Sequence, residues 1–140
     1  MEIKISEHQL TRREVEILYT MWNAGRPLMA SEIADANEEL KIATVHTTLK
    51  RMLKNNLVEV ANFAKSGNVY GRCYQPTMNL KDFELDKMVY DFKKKQSEDI
   101  TTSNLVAALL DTEDDKTALE ELDELEKLIQ QKREQLSKGE

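Results

Sequence analysis

The stretch Thr44-Val-His-Thr-Thr-Leu-Lys-Arg-Met-Leu-Lys54 decides the fold, because its residues separate into two opposed helical faces. Val45, Leu49, Met52 and Leu53 recur at helical spacing and form an apolar face. The other face is polar and basic and consists of Thr47, Lys50, Arg51 and Lys54. The pattern predicts an amphipathic helix over about residues 43–54 that packs on a core and exposes its basic side.

Two further helices are predicted upstream of this stretch. Thr11-Arg-Arg-Glu14 has the spacing of a capping box, and Gly25 with Pro27 ends the helix that follows. Ser31 is predicted to cap a second helix over Glu32–Leu40. The basic helix is then the third in a row.

A β-hairpin is predicted downstream. Leu57–Phe63 and Val69–Tyr74 are rich in β-branched and aromatic residues, and Lys65-Ser-Gly-Asn68 between them has turn chemistry. Three helices followed by a hairpin with a polar tip are the order of a winged helix-turn-helix. The predicted fold class is therefore mainly α with a small β-hairpin.

The remainder of the chain differs in charge and composition. Residues 1–78 hold ten Lys/Arg against nine Asp/Glu, a net of +1, whereas residues 79–140 hold ten against seventeen, a net of −7. The stretch from Lys41 to Lys54 carries four basic residues and no acid. We expect a winged-helix domain over residues 1–77 and a helical dimerisation domain over residues 78–140.

Apolar stripes in the second domain predict the dimer interface. Thr102 or Ser103 is a candidate cap for a helix through Leu110, and a last helix is predicted over Lys116–Lys138. Such helices are marginal in water unless their apolar faces are covered, either by a second chain or by the winged-helix domain of the same chain. Dimerisation is the favoured interpretation, with these interface residues: Leu85, Met88, Val89, Phe92, Leu105, Leu109, Leu122, Leu125 and Ile129.

The third helix and the hairpin supply the candidate DNA-binding residues. A helix that enters the major groove needs hydrogen-bond donors for phosphates and purine edges, together with small groups that touch thymine methyls. The candidates on the helix and the hairpin are Thr44, His46, Thr47, Lys50, Arg51, Lys54, Lys65 and Arg72. A plain solvated face and a protein-interaction module whose basic helix docks an acidic partner are the alternatives. RNA binding is disfavoured, because the Phe and Trp residues lie mostly on apolar stripes and few aromatics are expected to be exposed.

Other functional classes find little support in the residues. His8 and His46 with the single Cys73 offer no spacing typical of a zinc site, and we expect neither a metal nor another cofactor. No catalytic residues are predicted, because nucleophile–base arrangements and glycine-rich phosphate loops are missing, so an enzyme is not expected. The beginning of the chain lacks the features of a signal peptide, and no apolar run approaches the length of a membrane span. We expect a cytoplasmic protein without membrane insertion.

The sequence resembles the penicillinase repressor family, the BlaI/MecI/CopY group of bacterial regulators, over about residues 9–136. The resemblance rests on Leu10–Leu18 with Trp22, on Ala43–Lys54 with its Thr-Val-x-Thr-x-Leu-x-Arg pattern, and on Cys73–Pro76 with the helical tail. It implies a homodimeric repressor that binds a palindromic operator in double-stranded DNA, with Thr44, His46, Thr47 and Arg51 facing the DNA. Family members often have Arg where this chain has His46.

The family also suggests how the repressor is released. Copper-sensing members carry a cysteine-rich C-terminal motif, whereas this chain ends Gln135-Leu-Ser-Lys-Gly-Glu140, so copper sensing is not expected. Members induced by β-lactams are cleaved near an Asn-Phe pair in the dimerisation region, where this chain has Ala108-Leu109. A regulatory protease or sensor is therefore a candidate partner that the cleavage motif supports only weakly.

Overall fold

The computed structural model describes residues 10–139. They fall into two compact units, the first extending to Lys93 and the second beginning at Lys94. The elements in chain order are α1 (Arg12–Ala24), β1 (Leu28–Met29), α2 (Ala30–Ala36), α3 (Ile42–Lys54), β2 (Val58–Ser66), β3 (Val69–Pro76), α4 (Leu80–Lys95), α5 (Thr102–Asp111) and α6 (Asp115–Lys138).

The first helix begins and ends where the sequence predicts. The Thr11 hydroxyl accepts a hydrogen bond from the Glu14 amide at 3.2 Å, and the Glu14 carboxylate accepts one from the Thr11 amide at 3.0 Å. At the other end Gly25 adopts φ 69°, a left-handed conformation that glycine enters without steric cost. Both halves of the predicted capping box are confirmed.

The second helix differs from the prediction at both ends. It begins at Ala30 after Met29, not after Ser31, because the Glu32 carboxylate reaches back to accept the Met29 amide at 2.9 Å. It ends at Ala36, and Leu40 is buried from the loop that follows. The predicted helix end at Leu40 was therefore wrong, although this side chain does join the core.

The hairpin is confirmed and belongs to a three-stranded antiparallel sheet of order β1-β3-β2. The turn lies at Gly67-Asn68, where Gly67 has φ 64°. A bulge interrupts the pairing between Val60 and Asn62. The strand β1 was not predicted, because two residues show no periodicity and gain strand geometry only by pairing with β3.

The core lies between the three N-terminal helices and one face of the sheet. From α3 it receives Val45, Leu49 and Met52, the predicted apolar stripe, which confirms the amphipathic helix. Ile17, Leu18 and Met21 come from α1, Ile33 from α2, and Val58 with Tyr74 from the sheet. This is a winged helix-turn-helix, and the predicted fold class of mainly α structure with a small hairpin is confirmed.

The helix α4 begins in contact with this core. Phe83 is only 2% exposed and lies edge-on to Tyr19 and tilted against Trp22. The Trp22 indole donates to the Met78 carbonyl at 3.0 Å, and the Tyr19 hydroxyl donates to the Glu84 carboxylate. The first compact unit therefore extends past the predicted boundary at 77/78, which stays a prediction about where DNA binding gives way to dimerisation.

The second unit contains α5 and α6. Thr101, rather than Thr102 or Ser103, caps α5 by accepting the Asn104 amide at 3.1 Å. Asp114 caps α6 by accepting the Thr117 amide at 2.7 Å, and this bond holds the pKa of its carboxyl below the usual value. All residues of both helices are described, and none of them is buried.

Candidate nucleic-acid interface

The polar face of α3 is open to solvent over its whole length. His46, Thr47, Lys50, Arg51 and Lys54 are exposed, and Thr44 is half-buried. The helix itself contains no acidic residue, and its last turn carries Arg51 and Lys54. All six predicted helix residues therefore share one helix and leave part of their surface free for a ligand.

Arg51 contacts a carboxylate from another helix. Its Nε lies 3.8 Å from Oε2 of Glu14, whose side chain is 6% exposed against 48% for that of Arg51. The other oxygen of Glu14 accepts the Thr11 amide. The carboxylate that caps α1 therefore also attracts the guanidinium of α3 and restricts the directions in which Arg51 can extend.

A shallow groove of about 270 Å³ lies between the beginning of α1 and the polar face of α3. It is lined by Arg13, Ala43, Thr44, Thr47, Thr48 and Arg51. Arg13 was not among the predicted site residues. The pair Arg12-Arg13 inside the capping box was visible in the sequence, but only the packing of α1 on α3 places Arg13 beside the threonines. Two guanidinium groups next to threonine side chains are chemistry suited to phosphate.

The hairpin presents both of its predicted basic residues and two aromatic residues that were not predicted to be exposed. Lys65 and Arg72 are exposed. Phe63 is 67% exposed and Tyr70 72% exposed. The expectation that few aromatics would be exposed was wrong for these two, because this part of the hairpin reaches beyond the core that the helices cover. Trp22 and Phe83 do pack inward as expected.

The predicted dimer-interface residues also leave apolar surface open. On α4, Leu85, Met88 and Val89 are exposed and Phe92 is half-buried. In the second unit Leu125 is half-buried, and the exposed members are Leu105, Leu109, Leu122 and Ile129. Apolar residues scattered on a surface are ordinary, so exposure alone does not assign these side chains to an interface.

Residues 10–139 contain no group of three or more His, Cys, Asp or Glu side chains placed to hold a metal ion. His8 lies outside the described residues, and Cys73 is buried. Among the described helices, none is both long and apolar enough to cross a membrane.

A known protein family matches most of this chain. The model of a family described as penicillinase repressor matches residues 10–131, which include α1 to α5 and most of α6. The chain belongs to the penicillinase repressor family. Membership makes it a DNA-binding transcriptional repressor rather than an enzyme, and it decides against the alternative of a module that docks an acidic protein. No curated protein matches the chain.

Solved structures of other transcription regulators are similar to this penicillinase repressor family member. MepR, a transcription regulator of the Staphylococcus aureus multidrug efflux pump MepA, is 14% identical, with a TM-score of 0.45 over 91% of this chain and 84% of that one. Staphylococcus aureus MarR in complex with salicylate and kanamycin is 15% identical, with a TM-score of 0.45 over 91% and 75%. The activation domain of the phage T4 transcription factor MotA is 22% identical, with a TM-score of 0.45 over 66% and 87%.

Proposed function

We propose that two copies of this repressor bind a palindromic operator in double-stranded DNA and that each places α3 in the major groove. The observation that carries the proposal is the exposed face of α3, which combines Lys50, Arg51 and Lys54 with threonine side chains and has no acid. A helix with this surface fits a major groove lined by phosphates and purine acceptors. The net charge of −6 does not oppose this, because phosphate contacts act within a Debye length of about 8–10 Å.

The side chains of the α3 face and of the hairpin suit different contacts with DNA. Arg51 can donate two parallel hydrogen bonds to a guanine edge, and Lys50 can reach guanine or phosphate. Thr44 suits a phosphate oxygen or a thymine methyl. The Thr47 hydroxyl already donates to the Ala43 carbonyl at 3.0 Å, so its methyl group is the part that suits a thymine methyl. His46 adds a further hydrogen-bond donor to this face. On the hairpin, Lys65 and Arg72 suit the phosphates beside the groove.

Dimerisation supplies a second copy of α3, the recognition helix, for the second half-site of the operator. The apolar stripes of α4, α5 and α6 leave surface that a second chain can cover, and α5 and α6 contain no buried residue. Two recognition helices related by a two-fold axis would read half-sites whose centres lie about 10 base pairs apart, or a multiple of that distance. Such a repressor works where the DNA is, which in a bacterium is the cytoplasm.

Release from DNA is proposed to involve a regulatory protease or sensor. The candidate bond Ala108–Leu109 lies inside α5 and Leu109 is exposed. Proteases cleave extended backbone, so cleavage here requires α5 to open locally first. The two caps of α5 and α6 oppose such opening.

The test is selection of bound fragments from random duplex DNA by the purified full chain. We expect a palindromic consensus.

Arg51→Ala should weaken binding to this consensus by about 1–3 kcal/mol, the scale of one bidentate base contact. Arg51→Lys keeps the charge but loses the fork, so it should relax base preference while leaving the salt dependence unchanged. The matched control is Lys81→Ala, which removes an exposed charge from α4. A wild-type protein that selects no DNA sequence would contradict the proposal.

A further inference from the structure

The connection between the winged helix and α4 is short and is fastened directly behind the recognition helix. The strand β3 ends at Pro76 and α4 begins at Leu80, which leaves three residues between them. The Thr77 amide donates to the Leu57 carbonyl at 3.0 Å, and the Thr77 hydroxyl donates to the Asn56 carbonyl at 2.7 Å. Asn56 and Leu57 follow the end of α3 by two and three residues. The chain therefore enters α4 from a point that is tied to the end of α3.

A second group of contacts fixes the beginning of α4 against α1. Phe83 belongs to the same buried core as Leu49 of α3. Its ring packs against those of Tyr19 and Trp22, with ring centres 5.9 and 5.1 Å apart. The next residue, Glu84, accepts the Tyr19 hydroxyl. Because α3 and α4 are held by one core, α4 cannot change its direction relative to α3 without breaking these contacts. We call this set of residues the α4 joint: Tyr19, Trp22, Thr77, Phe83 and Glu84.

The face of α4 opposite the α4 joint is open. An α-helix advances by about 100° per residue, so Leu85, Met88 and Phe92 lie about 140–180° around the helix from Phe83. Leu85 is 50% exposed and Met88 62% exposed. Since the docked face and the apolar stripe point in opposite directions, this stripe cannot pack on the core that holds Phe83. A second chain that covers the stripe is connected to α3 of the first chain through α4 and the α4 joint.

We propose that the α4 joint sets the distance and rotation between the two recognition helices and so determines which half-site spacing the repressor accepts. This inference rests on the proposed function. It makes Tyr19, Thr77 and Glu84 positioning residues for operator selection, although none of them lies on the DNA-facing side of α3. Each base pair added between the half-sites moves them about 3.4 Å apart and rotates one against the other by about 35°. A fixed joint cannot follow that rotation, whereas a loosened joint can.

The experiment measures the affinity of the full chain for the selected operator and for versions with one or two base pairs added between the half-sites. For two added base pairs the wild type should lose about 100-fold, the lower end of the gain that two linked sites give over one. The double variant Tyr19→Phe/Thr77→Val removes two hydrogen bonds of the α4 joint with little change in side-chain size. It should lose only about tenfold, because a joint that pivots keeps part of that gain.

Two conservative variants and one control test whether the hydrogen bonds themselves matter. Glu84→Gln keeps an acceptor for the Tyr19 hydroxyl, and Thr77→Ser keeps the hydroxyl that donates to Asn56. Both should retain the wild-type dependence on spacing. Lys81→Ala changes an exposed residue of α4 outside the α4 joint and should do the same.

Two further measurements separate positioning from folding and assembly. A DNA fragment with a single half-site should bind the wild type and the double variant equally, because the polar face of α3 is unchanged. Sedimentation equilibrium should give both proteins the same dimer dissociation constant. A double variant that binds the single half-site more weakly, or that dissociates into monomers, overturns the inference, since the α4 joint would then act through the fold or through assembly.

The remaining outcomes distinguish this inference from the proposed function. A wild type that binds a palindromic operator but tolerates added base pairs overturns the inference and leaves the proposed function intact. A double variant that discriminates spacing as sharply as the wild type has the same consequence. A wild type that selects no DNA sequence overturns the proposed function together with this inference.

Discussion

The two compact units of this repressor differ in whether their apolar side chains are buried. In the first unit, helices and sheet surround a core in which Ile17, Ile33 and Val45 have no exposed surface. In the second unit, α5 and α6 carry as regular an apolar pattern, yet none of their residues is buried. The same periodicity thus marks an internal core in one region and an outward surface in the other. The first unit buries its apolar side chains within itself, whereas the apolar stripes of the second stay open to solvent, and we propose that a second chain covers them.

The largest effect on stability is expected at Phe83, where α4 packs against the core of the first unit. Phe83→Ala should lower the free energy of unfolding by about 3–5 kcal/mol, because it opens a cavity beside Tyr19 and Trp22. Lys81→Ala on the same helix is the control, since Lys81 is exposed and does not belong to the predicted dimer interface. Urea denaturation of both variants measures the contrast. Equal losses of unfolding free energy in the two variants would contradict the assignment of Phe83 to the core.

The next largest effect, on self-association, tests whether the second unit is the dimerisation domain. Leu122→Ala should weaken self-association about tenfold, the scale of burying part of one leucine between chains. It should leave the unfolding of the first unit unchanged. Sedimentation equilibrium measures the dissociation constant, with Glu121→Ala as the neighbouring polar control. If Leu122→Ala alters only stability and not assembly, the stripe packs within the chain.

A smaller effect tests whether Glu14 connects the fold of the first unit to its DNA-binding face. Glu14→Gln retains an acceptor for the Thr11 amide but loses the attraction for Arg51, so stability should fall by about 1 kcal/mol. Base preference at the position that Arg51 reads should broaden as well. Glu16→Gln removes an equivalent carboxylate that pairs with exposed Arg12 at 3.0 Å, and it should change neither property. Identical behaviour of the two variants would remove any special role for Glu14.

The smallest effect concerns the pH dependence of the contact between α1 and α4. The hydrogen bond and the negative charge of Glu84, with partial burial, raise the pKa of Tyr19 to about 12. Because this pKa lies above the ordinary value of 10.0, the contribution of Tyr19 to stability is complete below pH 10 and is lost as the pH rises towards 12. Tyrosinate absorbance should show a late-titrating component that Tyr19→Phe abolishes. A titration curve above pH 10 that Tyr19→Phe leaves unchanged in shape would contradict the contact.

Prediction from sequence succeeded where a local pattern and the tertiary packing agree. The alternation on α3 and the capping box at Thr11 depend on spacing within one helix, so both were predictable. The beginning of α2 was not, because a carboxylate three residues into the helix took the place of the expected serine cap. Arg13 and the exposed face of Phe63 depend on which elements pack side by side, and spacing within one element does not contain that information.

The separate roles of the two units can be measured directly by hydroxyl-radical footprinting of the full chain on its selected operator. If the first unit reads DNA and the second joins two copies, the duplex should show two symmetric protected segments. Their centres should lie about 10 base pairs apart, or a multiple of that distance, on one face of the duplex. Leu122→Ala at low protein concentration should lose both segments together. A single asymmetric segment, or protection that Leu122→Ala leaves unchanged at every concentration, would contradict the account.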